Sequence, residues 1–241
     1  MASRRTTIDR DEAARFAALA RDWWDEDGAM APLHRMNPVR LRFLRDALCG
    51  HFGRDGAKPF QGLRILDVGC GAGLVCEPLA RLGATVTGID ATEDMVRAAR
   101  EHAKAMRLDI EYRVAAAEEL TDRFDAVVAL EVIEHVADRD LFLQSLCDRV
   151  VPGGAIVLST LNRTLKAFAM AIVGAEYVMR WLPRGTHDWA KFVKPSELAR
   201  GLAANGFKLA AIEGMIYDPL EREWRLGKDL AVNYLALAVR A

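Results

Sequence analysis

Three side chains able to move a proton or hold a cation lie within five residues of one another in the string ALEVIEHV: Glu131, Glu134 and His135. Two carboxylates and an imidazole so spaced suit general acid and base chemistry, binding of a divalent cation, or simply the start of a solvated helix. A second group lies in ILDVGCGAG, residues 65–73, where an apolar run reaches Asp67 and Gly69, Gly71 and Gly73 follow at alternate positions. Glycines at this spacing let the backbone turn sharply and let a ligand approach it without meeting a Cβ. The pattern is GxGxG rather than the GxGxxG that seats a dinucleotide pyrophosphate. Asp90 ends the next apolar run. A carboxylate at the C-terminal edge of an open sheet is placed to accept both hydroxyls of a ribose.

Each of these residues closes or follows a short apolar run, and the runs imply the scaffold. RILDV, TVTGID, IEYRV, FDAVVAL, GAIVLST, FKLAAIEGM and VNYLALAVR read as seven strands, with helical stretches after most of the earlier ones. That alternation predicts an α/β fold with one doubly wound sheet beginning near Leu63. Ahead of it, Asp9 and Glu12 have capping-box spacing, and Ile8, Phe16, Leu19, Ala20 and Trp23 recur at helical intervals. These predict a helix to about Trp24. A second helix is expected to start at Asn37 as N-cap with Pro38 first inside, burying Leu41, Leu44 and Leu48.

The stretch after the fifth strand breaks the alternation. Its apolar part, 167–179, is too short and, with Glu176, too polar to span a bilayer. Arg163, Lys166, Arg180 and Arg184 flank it. It reads as a helical insertion packed on the core, as a flap over an apolar substrate, or as an interfacial helix.

The 241-residue chain has a net charge of −1, which gives no reason to expect a polyanionic partner such as nucleic acid. Its four cysteines form no CxxC pair, so free thiols in a reducing compartment are expected. No apolar export segment is read near the N-terminus.

LDVGCGAG, followed by an acidic residue closing the second strand, resembles the class I S-adenosylmethionine-dependent methyltransferases over roughly residues 62–160. The resemblance implies a seven-stranded Rossmann-like sheet, a glycine loop facing the methionine part of the cofactor, and Asp90 on its ribose. The string VAAAEEL departs from the family's usual acidic residue near the adenine, leaving Ala116, Ala117 and Glu118 to meet it largely through backbone groups. The Asp/Asn-Pro-Pro-aromatic motif of methyltransferases acting on base amino groups is absent after the fourth strand, which also argues against nucleic acid.

A narrower resemblance runs from about residue 15 to 235: RDWWDEDGAMAPLHRMNPVRL, STLNRT, VGAEYV, WLPRGTHDWAKFVKPSEL and VNYLA are similar to the ubiquinone-biosynthesis O-methyltransferase family. It implies O-methylation of polyprenylated catechols, 2-polyprenyl-6-hydroxyphenol and 3-demethylubiquinol, with cofactor contacts from Arg40, Gly69, Asp90 and Leu130. A phenol acceptor titrates near 10 and calls for a base near 7 or a metal, which makes His135, with Glu131 beside it, the candidate catalytic pair; eukaryotic relatives imply Mg²⁺ at Glu131, Glu134 and His135. The resemblance further implies a cytoplasmic protein resting peripherally on the inner-membrane lipid surface, in a ubiquinone-biosynthesis complex. Residues 1–60 would form a helical lid segment and 61–241 the methyltransferase domain, with the insertion at about 161–194. Trp23 and Trp24 would be lid or packing residues, with His34 and Met36 on the acceptor side. The alternatives are methylation of another small phenol or amine, or a non-catalytic cofactor-binding scaffold.

Overall fold

Alternation of two kinds decides how the strands pack. In β1 (Arg64–Val68), Ile65 and Leu66 are both fully buried yet belong to different apolar clusters, because successive side chains of a strand point to opposite faces. A strand buried on both faces must be covered by helices on both sides, which is the condition of a parallel sheet. The computed structural model describes residues 5–170, 172, 188–218, 221 and 223–241. Within them, β1 is joined by β2 (Thr85–Asp90), β3 (Glu111–Val114), β4 (Phe124–Leu130), β5 (Val150–Leu161), β6 (Phe207–Asp218), β7 (Glu223–Gly227) and β8 (Asn233–Arg240). The order across the sheet is β3-β2-β1-β4-β5-β8-β6-β7. The first five strands are parallel, and β8 and β7 run antiparallel to their neighbours.

On one face lie α2 (Ala31–Phe52), α3 (Cys76–Arg81) and α4 (Glu93–Ala105), with Phe43, Leu44, Leu48, Leu79 and Val96 in a single cluster. On the other lie α5 (Arg139–Asp148) and α7 (Pro195–Ala203), contributing Phe142, Leu146, Leu198 and Leu202, with the three-residue α6 (Leu165–Ala167) between β5 and α7 in the chain. The α/β doubly wound reading therefore holds, with one strand more than the seven expected. The additional β7 is a five-residue edge strand pairing with Gly214–Asp218; its Trp224 and Leu226 are partly buried against the cluster containing Phe43.

The second helix also differs from expectation. It begins at Ala31, with Pro32 in its first turn, so Asn37 and Pro38 lie inside it. Asn37 is not a cap: its Nδ2 donates to the carbonyl of Leu74, 3.1 Å away, which ties the helix to the glycine loop. Arg40 is thereby moved from a first turn into the helix interior. The helix ends at Gly53, whose φ of 61° is the left-handed conformation that glycine adopts without a Cβ clash. The first helix, α1 (Arg10–Ala17), has Asp9 as N-cap as expected, accepting from the backbone of Asp11 and Glu12, but it stops at Ala17 instead of running to Trp24, and Ala20–Asp22 form a separate 3-10 turn.

Candidate active site

Because β1, β2 and β4 are parallel and adjacent, their C-terminal ends meet at one edge, where the strand order reverses between β1 and β4. Open α/β sheets bind ligands at such a point. Here it is the floor of a cavity of about 370 Å³, roofed by α1 and the start of α2. Gly69 and Gly71 line it with φ of +68° and +53°. A Cβ on Gly69 would stand 2.6 Å from Cγ2 of Val132, and one on Gly71 2.6 Å from Cζ2 of Trp23, so both conformation and space exclude a side chain.

Asp90 lies beside this loop. Its Oδ2 accepts from the Gly71 N–H at 3.1 Å, and its Oδ1 from the backbone N–H and hydroxyl of Thr92, both at 3.0 Å. Burial raises its pKa, opposed by these donors. The Ala91 N–H also favours the ionised form, so with about four acceptor positions the carboxylate is well supplied with donors, and a ligand hydroxyl would share or replace one of them. Ala115, Ala116 and Ala117 line the neighbouring wall. The Glu118 side chain is directed elsewhere: it accepts from the Thr7 hydroxyl and N–H and from the Thr6 hydroxyl, anchoring the N-terminal segment to the sheet edge.

Arg40 is 4% exposed and lines the cavity, yet its Nε has no hydrogen-bond partner among the described residues. Burial lowers its pKa, while the nearby charges of Glu131, Asp67 and Glu134 oppose that. A buried donor without an acceptor costs about 1–3 kcal/mol, more for a charged group, and an anionic ligand would remove that cost. Asp67, at the end of β1, is pushed up to about 7 by burial, against the hydrogen bond from Cys76 Sγ at 3.1 Å and the charge of Arg40. Leu130 is buried and gives the cavity an apolar wall.

The chain turns after β4 at Glu131, whose φ of 57° is unusual for a residue with a side chain. Ser159 of β5 holds it: the Glu131 N–H donates to the Ser159 carbonyl and Oγ, and the Ser159 hydroxyl donates to Glu131 Oε1 at 2.7 Å. Glu134 is buried and accepts from the Thr160 hydroxyl at 2.9 Å; burial, then the charge of Glu131, raises its pKa. Burial would lower the pKa of His135, but the hydrogen bond with Glu12 and the charges of Glu134, Glu12 and Glu131 outweigh it, so it is raised. All three residues line the cavity. They do not form a metal centre as arranged: Glu131 is turned to Ser159, Glu134 to Thr160 and His135 to Glu12. Among the described residues no three His, Cys, Asp or Glu side chains converge as a cation site.

Trp23 lines the cavity and packs on Gly71, whereas Trp24 stacks on His102 with ring centroids 3.5 Å apart and donates Nε1 to the Ala72 carbonyl. Met36 lines the cavity; His34 instead bonds the Trp23 carbonyl at 2.8 Å. Glu12 and Lys191 were not anticipated as site residues. The carboxylate of Glu12 bonds His135 Nδ1 and Lys191 Nζ, each at 3.2 Å, where capping-box spacing had placed it on its own helix. Its acidic type at the third helical position was the only local signal, and that signal has a cap as its ordinary explanation.

The insertion between β5 and α7 lies mostly outside the described residues, including Arg180, Trp181 and Arg184. Its start is described: Leu165 is 81% exposed, and Phe168 and Met170 each 42%, with Met170 also lining the cavity. No helix among the described residues is long and apolar enough to cross a membrane.

Residues 40–212 match the family model described as a methyltransferase domain. Among solved structures, a magnesium protoporphyrin IX methyltransferase from Synechocystis with bound SAH superposes with a TM-score of 0.65 at 20% identity, covering 95% of each chain. An S-adenosylmethionine-dependent methyltransferase from Clostridium acetobutylicum gives 0.61 at 10% identity, covering 95% of this chain and 98% of its own; likeness at such identities concerns the fold. The sequence relatives are much nearer. A ubiquinone biosynthesis O-methyltransferase of Chelativorans sp. is 52% identical over 98% of this chain and 95% of its own length. One of Azorhizobium caulinodans is 54% identical over 95% and 92%. With half its residues shared along nearly the full length of such relatives, and with a methyltransferase domain on the matching α/β fold, the chain belongs to the ubiquinone biosynthesis O-methyltransferase family.

Proposed function

We propose that this protein transfers a methyl group from S-adenosylmethionine to a hydroxyl of a polyprenylated catechol or quinol in ubiquinone biosynthesis. The observation that carries the reading, beside family membership, is Arg40: a buried guanidinium with an unpartnered Nε, on the wall of a cavity whose glycine floor has no room for a Cβ. That combination fits a ligand with a carboxylate at one end that lies closely along the backbone. Arg40 would hold the carboxylate, Gly69 and Gly71 would pass under the methionine part, and Asp90 would accept a ribose hydroxyl. Leu130 and Ala115 to Ala117 would flank the adenosyl group.

When bound, S-adenosylmethionine supplies an electrophilic methyl on a sulfonium sulfur. The protein's part is to deprotonate and aim the acceptor. A phenol titrates near 10, so few acceptor molecules are ionised at neutral pH, and a base on the cavity wall raises that fraction. His135 takes this role, removing the hydroxyl proton so that oxygen can form its bond to the methyl carbon. Charge disappears as a phenolate and a sulfonium become neutral products, so a cavity closed to water favours the transfer. Phe16, Leu33, Met36, Val132 and Leu161 supply apolar walls for that purpose. Alignment of oxygen, methyl and sulfur contributes most of the remainder, on the order of 7–11 kcal/mol. Residues 1–60 act as the lid over 61–241.

A divalent cation at Glu131, Glu134 and His135 would require each to leave its present partner, and no step is routed through one. Activity measured in excess chelator and with added Mg²⁺ tests this: equal rates are expected, and a rate restored only by the cation would assign it a role. The prenyl tail is expected to bring the protein to the lipid surface through the insertion, where exposed Leu165 and Phe168 flank Lys166. Leu165→Ser with Phe168→Ser should weaken sedimentation with anionic vesicles and leave cofactor binding unchanged; unaltered sedimentation would overturn the membrane assignment.

The deciding experiment is methyl transfer from labelled S-adenosylmethionine to short-chain and long-chain catechols and to an amine, with wild type, Asp90→Ala and His135→Ala. Catechol methylation, loss of cofactor affinity in the first variant and loss of turnover alone in the second are expected. Preference for the amine, or cofactor binding without turnover on any catechol, would overturn the reading.

A further inference from the structure

The cavity continues past the cofactor residues along the same edge of the sheet. β5 ends there at Leu161, and β8, antiparallel to it, begins there at Asn233, the two residues being paired across the ladder. The hairpin of β6 and β7 closes this end: Tyr217 and Trp224 stand opposite each other in its register, with ring centroids 5.3 Å apart, and both line the cavity. The strand order therefore divides the cavity in two. Gly69, Asp90 and Leu130 lie at the ends of β1, β2 and β4, while a second wall comes from β5, β8, β6 and β7, further along the sheet.

Asn233 is 3% exposed and belongs to this second wall. Its Nδ2 donates to the thioether sulfur of Met36 at 3.8 Å, a weak acceptor, and its Oδ1 is buried with no partner among the described residues. The backbone, not the amide, holds it in place. Asn162, just after β5, donates its N–H to the Val232 carbonyl and its Nδ2 to the Leu230 carbonyl, both at 2.8 Å, which fixes the start of β8. A buried carbonyl oxygen without a donor carries an uncompensated desolvation cost. A ligand hydroxyl removes that cost, because it is uncharged and has a proton to give, whereas a carboxylate or an ether has none. A cation could also donate, but against Met36, Leu161 and Trp224 it would give up its hydration for one hydrogen bond.

We propose that Asn233 is a specificity-determining residue at the acceptor end of the cavity: its Oδ1 accepts from the hydroxyl of the catechol or quinol that is not methylated, and so selects acceptors with a second hydroxyl over simple phenols. The proposal rests on the O-methylation reading above. It gives a use to a polar side chain at a position where leucine would fill similar space and leave no oxygen unpaired.

The test is a ratio. kcat/KM is measured for a prenylated catechol and for the matching phenol without the second hydroxyl, in wild type and in Asn233→Leu, whose side chain cannot accept. Effects common to both acceptors, including any general disturbance of the cavity, cancel in the ratio. One ordinary hydrogen bond corresponds to about tenfold. The catechol-to-phenol ratio should therefore fall by about tenfold or more in Asn233→Leu, with the catechol arm carrying the larger loss. Titration calorimetry should find S-adenosylmethionine affinity within about twofold of wild type, since the cofactor half of the cavity is untouched. Thermal melting shows whether Asn233→Leu is folded; if it is not, Asn233→Ala, which asks for no additional space, carries the same comparison. An unchanged ratio, including equal losses with both acceptors, would overturn the role of Asn233 and leave methyl transfer intact. Transfer to neither acceptor by wild type with its cofactor bound would overturn the O-methylation reading itself, and this proposal with it.

Discussion

The indole of Trp23 lies against the backbone of Gly71, close enough that a Cβ on that glycine would be 2.6 Å from Cζ2 of the ring. An aromatic residue upstream of the sheet thus covers the turn on which the cofactor is expected to lie. Gly71 also has a φ of +53°, in the left-handed region that costs a non-glycine residue about 1–2 kcal/mol. Gly71→Ala should therefore lower unfolding free energy by at least that amount and weaken S-adenosylmethionine binding more than tenfold. Trp23→Ala combined with Gly71→Ala relieves the ring contact but not the backbone strain, so only part of the stability should return in denaturant titrations.

Arg40 permits a cleaner test of the carboxylate contact. Arg40→Met keeps an unbranched apolar stem and removes the buried charge, leaving Asp67, Glu131 and Glu134 without the cation among them. Titration calorimetry should show S-adenosylmethionine affinity reduced by about 2 kcal/mol, or roughly 30-fold. Arg40→Lys should recover less than the full affinity, because an ammonium lacks the planar fork that matches a carboxylate. A ligand-free stability close to wild type would fit the view that the guanidinium is buried for binding and not for the fold.

Asp67 predicts a pH signature. Its folded pKa of about 7 lies above the ordinary carboxylate value of 3.8, so the folded protein holds this proton more tightly than the unfolded chain. Its contribution to stability is fully present below pH 3.8 and is lost as pH rises through about 7. Asp67→Asn should therefore be relatively more stable than wild type at pH 8 than at pH 4, with the difference opening between those values. Thermal denaturation of both proteins across this range, without cofactor, measures it; parallel curves would refute the assignment.

Glu131 separates strain from function. Its backbone stands at φ 57°, fixed by two hydrogen bonds from its N–H to Ser159, and its carboxylate lines the cavity. Glu131→Gly removes the left-handed penalty, about 1 kcal/mol or more, together with the carboxylate. Stability equal to or above wild type with reduced kcat is expected, since strain retained at a cavity wall usually serves the site. A large fall in stability would instead assign Glu131 to the fold.

Much of this arrangement was legible because apolar runs report their own ends. Asp67, Asp90 and Leu130 close or adjoin buried runs, and parallel pairing then forces them to one edge. β7 escaped because five residues reading EWRLG carry no clear alternation, and its pairing depends on β6 rather than on itself. The start of α2 escaped because Asn37-Pro38 is a plausible helix opening by local rules; what places it inside the helix includes the Leu74 carbonyl that its side chain binds, 37 residues on. Capping-box spacing gives Glu12 an equally complete local explanation. Its acceptor role depends on His135, 123 residues away, and on Lys191, 179 residues away, and no local pattern encodes either distance.

Those separations bear on the order in which the molecule is assembled. The mouth of the cavity joins Asp9 and Glu12 to Lys191, while the glycine turn and the ends of β1 and β2 lie within a stretch of the chain ending at Asp90. Closing a long loop costs entropy before its contacts return any stability. The cofactor platform therefore has the shorter loops to close, with Trp23 and Asn37 already reaching the glycine loop, whereas the seat of α1, begun at Glu118 and His135, is completed by a turn near the far end of the polypeptide. In a nascent chain the side of the cavity under α1 would be the last to gain its full set of contacts, and a cofactor present before then would meet an open shelf before it met a closed room.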